Sequence, residues 1–119
     1  MLFNILAHNR EDHVKNFSFL LDDRTGKWSL APAYDLTFAD GPGGEHSMTV
    51  AGEGRAPAYR QVVALAGQYG VAEKEVEVMF EGVAAAVERW PEFARVAGVR
   101  GVVSAKISRR LSAVRFGRK

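Results

Sequence analysis

The chain has 119 residues, a length that suits one domain, and its hydrophobic content of 47% is enough to build a core. It contains no cysteine, which excludes a disulfide framework, a thiolate metal site and a cysteine nucleophile. The formal net charge of +2 hides an asymmetry, because residues 1–87 carry a net charge of −5 and residues 88–119 a net charge of +7.

The two ends of the chain bear on localisation and partners. No apolar run approaches the length of a membrane-spanning helix, and the first residues lack the basic region that opens a signal peptide. Together with the absence of cysteine, this pattern predicts a cytoplasmic protein. The basic tail is most simply a solvated helix face, and the alternative is a docking surface for an acidic partner or for nucleic acid.

Residues 1–8 predict the end of a helix, with Leu2, Phe3, Leu6 and Ala7 on one face. This helix has no N-cap candidate, so we expect either that sequence is missing upstream or that a partner covers the helix. Residues 9–16 are too polar for a core segment. They predict a loop that carries binding groups into the strand that follows.

Residues 17–21 and 28–31 predict the two strands of a hairpin, with Phe17, Phe19 and Leu21 on one face. The connecting turn supplies acids that can bond backbone amides, and Gly26 supplies a positive φ. Residues 37–57 are rich in glycine and predict a loop region or a mobile flap, with a short extended piece at residues 47–50. A phosphate-binding P-loop is a weak alternative, since no Lys-Ser or Lys-Thr pair and no helix follow residues 41–44.

The remainder of the chain predicts helices with apolar faces that pack in a core. We expect Gly70 and Gly98 to end two of these helices and Pro91 to stop another. Arg109, Arg110 and Arg115 lie beside the last apolar stripe. The predicted stripes are Tyr59, Val62, Val63, Ala66 and Tyr69; Val76, Met79, Phe80, Val83, Val87 and Trp90; and Val103, Ile107, Leu111 and Val114.

Three polar residues have the types and the order that phosphoryl transfer requires. Glu11 and Asn16 are five residues apart, and Asp35 follows the hairpin. In phosphotransferases an acid orients the attacking hydroxyl, an Asn oxygen binds Mg²⁺, and a second acid binds the metal that bridges the phosphates. The simpler interpretations are that Glu11 and Asp12 are solvated acids of the loop and that Asp35 caps a turn.

Other histidine and acid combinations are weaker candidates. A zinc site built from His8, Asp12 and His46 would lack the helical i, i+4 pair that such sites commonly use. Taken alone, His13 is more often a structural histidine than a ligand, and Lys15 is usually a surface residue.

Two motifs carry a family resemblance. Asn-x-acid-Asp-His-x-Lys-Asn-Phe-Ser at residues 9–18, followed by Leu-Ala-Pro-x-Tyr-Asp-Leu at residues 30–36, resembles the C-terminal region of HipA-like serine/threonine kinases. These are bacterial kinases that are often encoded as toxins beside a DNA-binding antitoxin. The resemblance implies a mainly α fold with a small β-hairpin (α+β), namely a protein-kinase-like C-terminal lobe with a HipA-like helical subdomain. It implies one domain over residues 1–119, with the catalytic loop and metal-binding hairpin in residues 1–57 and a helical bundle in residues 58–119.

The resemblance also assigns roles to the site residues. Asn16 and Asp35 match the family's metal ligands, and Glu11 falls at the position of the catalytic base, where the family normally has Asp. Asp12 is the alternative base. His13 and Lys15 are expected to contact either the phosphates of the cofactor or the backbone of the loop.

The same resemblance predicts the reaction and the partners. The complete kinase would use Mg²⁺ and ATP to phosphorylate Ser or Thr on a protein substrate, and its ATP-binding lobe would precede residue 1. The chain by itself is expected to be inactive and need not bind either cofactor. Its expected partners are the missing N-terminal lobe, a DNA-binding antitoxin and the substrate. The alternative is a degenerate, pseudokinase-like module that binds an antitoxin or nucleic acid through its basic C-terminal helix.

Overall fold

The computed structural model describes residues 1–114, so the prediction for Arg115 lies outside the described residues. Helices dominate this part of the chain, and one antiparallel hairpin interrupts them, which confirms a mainly α fold with a small sheet. Single turns of 3₁₀ helix lie at Val14–Asn16 and Pro42–Gly44. The regular elements are α1 (Leu2–Leu6), β1 (Phe19–Leu21), β2 (Trp28–Leu30), α2 (Tyr59–Gln68), α3 (Glu73–Glu88), α4 (Trp90–Val96) and α5 (Gly101–Ala113).

The predicted hairpin is confirmed, and its turn forms for local reasons. Strand β1 pairs with β2 so that Phe19 faces Leu30 and Leu21 faces Trp28. In the turn, Asp22 Oδ1 accepts hydrogen bonds from the next backbone amides, and Gly26 takes a φ of +66°. The expected alternation of faces does not produce a buried side, since all six strand residues are exposed.

Helix α1 forms where it was predicted, but its predicted buried face was wrong at one position. Leu2 and Leu6 are buried together with Ile5, at the i, i+3 and i+4 spacing of one helix face. Phe3 is instead 36% exposed, because α1 packs against α3 on the side of Ile5.

One core joins the two parts of the chain. Its members from the first part are Leu2 and Ile5 of α1 and Val50 of the glycine-rich segment. They pack with Tyr59, Val62 and Val76 of α2 and α3, and the Tyr59 ring meets Phe80 edge to face at 6.1 Å. The segment that carries the polar loop is therefore anchored directly on the helices.

The helix ends follow their local sequence with one correction. Gly70 and Gly98 take φ values of +73° and +70° and end α2 and α4, as predicted. Glu75 accepts a hydrogen bond from the Ala72 amide at the start of α3. Pro91 does not stop α3, which already ends at Glu88; it lies instead in the first turn of α4, where a missing N–H is tolerated.

Some residues of the predicted stripes are also exposed, because only part of each helix meets the core. Tyr69 is 79% exposed beyond the end of α2, and Met79 is 47% exposed on α3. Of the described helices, α3 is the longest, and none has the length and apolar character needed to cross a membrane.

Candidate functional site

Asn9 connects the polar loop to the segment that carries Asp35. Its backbone pairs with Ala39 as an isolated parallel bridge. Its side chain is 1% exposed, and the Nδ2 group donates to Asn4 Oδ1 at 3.1 Å and lies 3.5 Å from the backbone oxygen of Asp35. No role for Asn9 was predicted from the sequence, although its place at the head of the polar motif was the available signal.

The structure brings Asn16 and Asp35 together. The Asn16 Nδ2 group donates to Asp35 Oδ2 at 2.9 Å and to the backbone oxygen of Glu11 at 3.1 Å. Both bonds use the amide nitrogen, so neither engages the Asn16 carbonyl oxygen. Asp35 has a φ of +54°, a sparsely populated conformation for a residue other than glycine. The loop and the end of the hairpin thus place two oxygen-bearing side chains next to each other.

Glu11, His13 and Lys15 lie along the same loop but meet different partners. Glu11 Oε2 accepts a hydrogen bond from His13 Nε2 at 3.2 Å, and both side chains are about two-fifths exposed. The Tyr34 hydroxyl donates a hydrogen bond to the backbone oxygen of Lys15 at 2.8 Å. The same hydroxyl accepts a hydrogen bond from the Ser18 side chain. Tyr34 therefore fixes the loop to the residue before Asp35.

Asp12 is buried, and its carboxylate is bonded to the glycine-rich segment, although the residue also lines a cleft with Asn16 and Asp35. Its Oδ1 accepts hydrogen bonds from the backbone amides of Ser47 and Met48 at 2.8 and 3.3 Å, and its Oδ2 accepts one from His46 Nδ1 at 3.1 Å. These contacts tie the polar loop to the glycine-rich segment. That segment contains no regular strand at residues 47–50, where an extended piece was predicted; Val50 only bridges Glu53.

His8 belongs to a separate pair. Its Nε2 donates to Asp40 Oδ1 at 3.0 Å, and its ring stacks on Phe38 at a centroid distance of 5.2 Å. Burial lowers the pKa of His8, and the hydrogen bond to Asp40 opposes this effect. His8 and His46 thus have different carboxylate partners. Among the described residues, no three His, Cys, Asp or Glu side chains are grouped to hold a metal ion.

A cleft of about 180 Å³ opens beside Asn16 and Asp35. Its walls include the apolar side chains of Phe3 from α1, Leu30 from β2 and Leu36 from the segment after the hairpin. The cleft combines oxygen donors of the type that Mg²⁺ prefers with apolar walls.

Comparison with known proteins gives one match. The family model of the HipA-like C-terminal domain matches residues 1–90, which include the polar loop, the hairpin, Asp35 and helices α2 and α3. Neither the curated proteins nor the solved structures gave a significant match. Because the matched region covers more than half of the chain, the family resemblance drawn from the two motifs is confirmed, and the chain belongs to the HipA-like C-terminal domain family.

Proposed function

We propose that this chain is the metal- and base-carrying part of a HipA-like protein serine/threonine kinase, with a protein-kinase-like C-terminal lobe as its architecture. The observation that carries the proposal is the contact between Asn16 and Asp35 at 2.9 Å, with Asn16 also bonded to the backbone of Glu11. Two candidate metal ligands, Asn16 and Asp35, and a candidate base, Glu11, are thereby joined by one set of hydrogen bonds. This is the arrangement that phosphoryl transfer requires, since its catalysis depends on positioning and on charge stabilisation.

Asn16 and Asp35 would hold the Mg²⁺ ion. The Asn16 carbonyl oxygen and the Asp35 carboxylate are hard oxygen ligands, and Mg²⁺ usually takes few ligands from the protein and others from phosphates and water. When bound, Mg²⁺ would neutralise charge on the transferring phosphoryl group. The bond that Asn16 donates to Asp35 orients the two side chains before metal arrives.

Glu11 would act as the base. As the Ser or Thr oxygen of the substrate forms its bond to the γ-phosphorus of ATP, the bond from that phosphorus to the bridging oxygen of ADP breaks, and Glu11 accepts the hydroxyl proton. His13 bonds to Glu11 Oε2, so the proton can go to Oε1, and the partial exposure of the carboxylate leaves it accessible to a substrate. Asp12 is less suited to the role, because its carboxylate already accepts bonds from His46 and two backbone amides.

A second lobe would complete the nucleotide site. The hairpin exposes large apolar side chains beside the cleft, among them Phe19, Trp28 and Leu30 at 63%, 67% and 63%. Apolar surface of this kind marks a contact with a partner. We therefore place an ATP-binding lobe on this face, with the complete kinase working in the cytoplasm on a protein substrate and beside an antitoxin.

The metal site can be tested with Mn²⁺, a paramagnetic substitute for Mg²⁺. Titration of the chain should broaden the NMR signals of the Asn16 side-chain amide and the Asp35 backbone amide before others. Asp35→Asn should remove this selective broadening, because it removes the anionic ligand. Asp23→Asn, at an exposed acid in the hairpin turn, is the matched control and should leave it unchanged. Equal broadening in wild type and Asp35→Asn would contradict the proposed metal site.

One observation favours a degenerate, pseudokinase-like module as the second candidate. The side chain at the base position is Glu11, and it is paired with His13. In the complete kinase, Glu11→Gln should abolish ATP-dependent phosphorylation if Glu11 is the base. A module that acts only by binding its partners should show no phosphorylation in either form, and charge reversal at Arg109 and Arg110 should weaken its binding to the antitoxin.

A further inference from the structure

A second cleft, of about 320 Å³, lies where α5 approaches the polar loop and the glycine-rich segment. Small and apolar residues form part of its wall. The charged and titratable groups of its described lining are three guanidinium groups and two imidazoles, with no carboxylate side chain among them. These residues are His8, Arg10, His46, Arg55 and Arg110.

Arg10 has hydrogen-bonding capacity that the described residues do not use. Its Nη2 donates to the backbone oxygen of Arg55 at 3.3 Å, whereas its Nε is buried and has no hydrogen-bond partner in the described part of the chain. A buried N–H without an acceptor is costly and uncommon in folded proteins. Arg10 also lines the cleft, where its guanidinium group can donate to an oxyanion.

The other two arginines are held only weakly by acids outside the cleft. Arg110 Nη2 lies 3.7 Å from Asp40 Oδ1, beyond hydrogen-bond distance. Arg55 donates hydrogen bonds from Nη2 and Nε to Glu45 Oε1, at 2.7 and 3.1 Å, but the two side chains are 73% and 50% exposed, and surface pairs usually contribute little. An entering anion can therefore compete for both guanidinium groups. Burial is the main cause of the lowered pKa of His8, and the positive charges of Arg10 and Arg110 act in the same direction.

Backbone packing fixes Arg10 in place. A Cβ atom built on Gly41 would lie 2.6 Å from the Arg10 Cβ, so the glycine lets the two segments approach closely. A preorganised guanidinium loses less freedom on binding than a free surface side chain.

We propose that this cleft is a phosphate-binding site that takes a phosphomonoester dianion through Arg10, Arg55 and Arg110. Guanidinium groups match the geometry of phosphate oxygens and donate charge-assisted, often bidentate, hydrogen bonds. The cleft volume leaves room for the group that carries the phosphate, which is either a small phosphate ester or a phosphorylated Ser or Thr side chain. The site does not depend on the proposed kinase activity, because it uses none of the residues assigned to the metal or the base.

Isothermal titration of the chain with inorganic phosphate, with a phosphoserine peptide and with the same peptide unphosphorylated tests the proposal. Phosphate and the phosphopeptide should bind, and the unphosphorylated peptide should not. If the phosphopeptide binds more tightly than phosphate, the phosphate group that the cleft recognises is carried by a protein side chain. If the two bind equally, it is carried by a small ester. Arg110→Gln should weaken binding about tenfold, because it removes one charge-assisted donor.

Arg109→Gln is the matched control, since Arg109 is an exposed neighbour on α5 that does not line the cleft. It should leave the affinity unchanged. Equal losses in Arg110→Gln and Arg109→Gln would overturn the proposal in favour of nonspecific surface attraction. The proposal would also be overturned if the wild-type chain, shown to be folded by a cooperative unfolding transition, bound neither phosphate nor the phosphopeptide. It would likewise be overturned if the chain bound duplex DNA and Arg110→Gln left the affinity for DNA unchanged.

Discussion

Neighbouring acids in the polar loop have different surroundings. Glu11 is partly exposed and has one side-chain partner, whereas Asp12 is 6% exposed and accepts three hydrogen bonds from the glycine-rich segment. Both remain predicted as catalytic residues by the family motif. Their surroundings favour Glu11 as the reactive acid and Asp12 as a residue that holds the loop in place.

Replacing Asp12 by alanine should destabilise the fold by about 3 kcal/mol, because it leaves buried donors without an acceptor. Urea unfolding followed by circular dichroism measures the change. Asp23→Ala removes an acid of the same type from an exposed position and should change the free energy of unfolding by less than about 0.5 kcal/mol. If Asp12→Ala were as stable as Asp23→Ala, the proposed structural role of Asp12 would be wrong.

At the scale of elements, the glycine-rich segment, residues 37–57, connects the polar loop to the core. That the segment is a mobile flap stays a prediction from its composition. Its residues bond to the polar loop, with the Ser47 amide donating to the backbone oxygen of Arg10 at 3.1 Å. Val50 reaches the core. Two glycines of its 3₁₀ turn region share a positive φ but differ in the space around them, and this difference can be measured.

Gly41→Ala should destabilise the protein more than Gly43→Ala. Both residues have φ near +70°, but their ψ values differ. With ψ of 5°, Gly43 lies near the left-handed helical region, which costs an alanine roughly 1–2 kcal/mol. With ψ of 157°, Gly41 lies in a region that is essentially restricted to glycine, so its backbone cost is higher. At Gly41 the new Cβ would also lie 2.5 Å from the Glu45 backbone oxygen and 2.6 Å from Arg10 Cβ, whereas nothing lies within 4 Å at Gly43. We expect an additional loss of about 1 kcal/mol or more at Gly41, measured as the difference in free energy of unfolding. Equal losses in the two variants would show that the segment yields to the new side chain.

At the scale of the whole molecule, the hydrophobic core and the candidate site lie in different parts of the fold. The core is small and lies where α1, Val50, α2 and α3 meet, with Val62 and Val76 almost fully buried. The hairpin beside the candidate site contributes exposed apolar side chains and little core. The hairpin side chains therefore lie outside the packing that holds the polar loop.

Val76→Ala should cost about 2 kcal/mol, since it removes two methyl groups from a side chain with no exposed surface. Val78→Ala makes the same chemical change two residues along α3, where the side chain is 64% exposed. It should be neutral or slightly stabilising, because alanine has the higher helix propensity. Thermal unfolding of the two variants checks the difference, and similar unfolding temperatures would contradict the described core.

The sequence by itself predicted the features that depend on neighbouring residues. The hairpin turn, the glycines that end α2 and α4, and the polar motif with Asp35 after the hairpin all follow from local backbone preferences and residue types. It also singled out Asn16 and Asp35 as candidate metal ligands, and the structure places these two side chains in contact. Their role as ligands stays a prediction.

Only the tertiary structure decided which of these residues face each other across long separations. It buried Ile5 instead of Phe3, joined Asp12 to His46 across 34 positions, and placed Arg55 and Arg110 around one cleft with Arg10. The physical reason is that burial and pairing depend on how helices pack around a shared core. That packing sums many weak contacts between distant segments, which no short stretch of sequence contains.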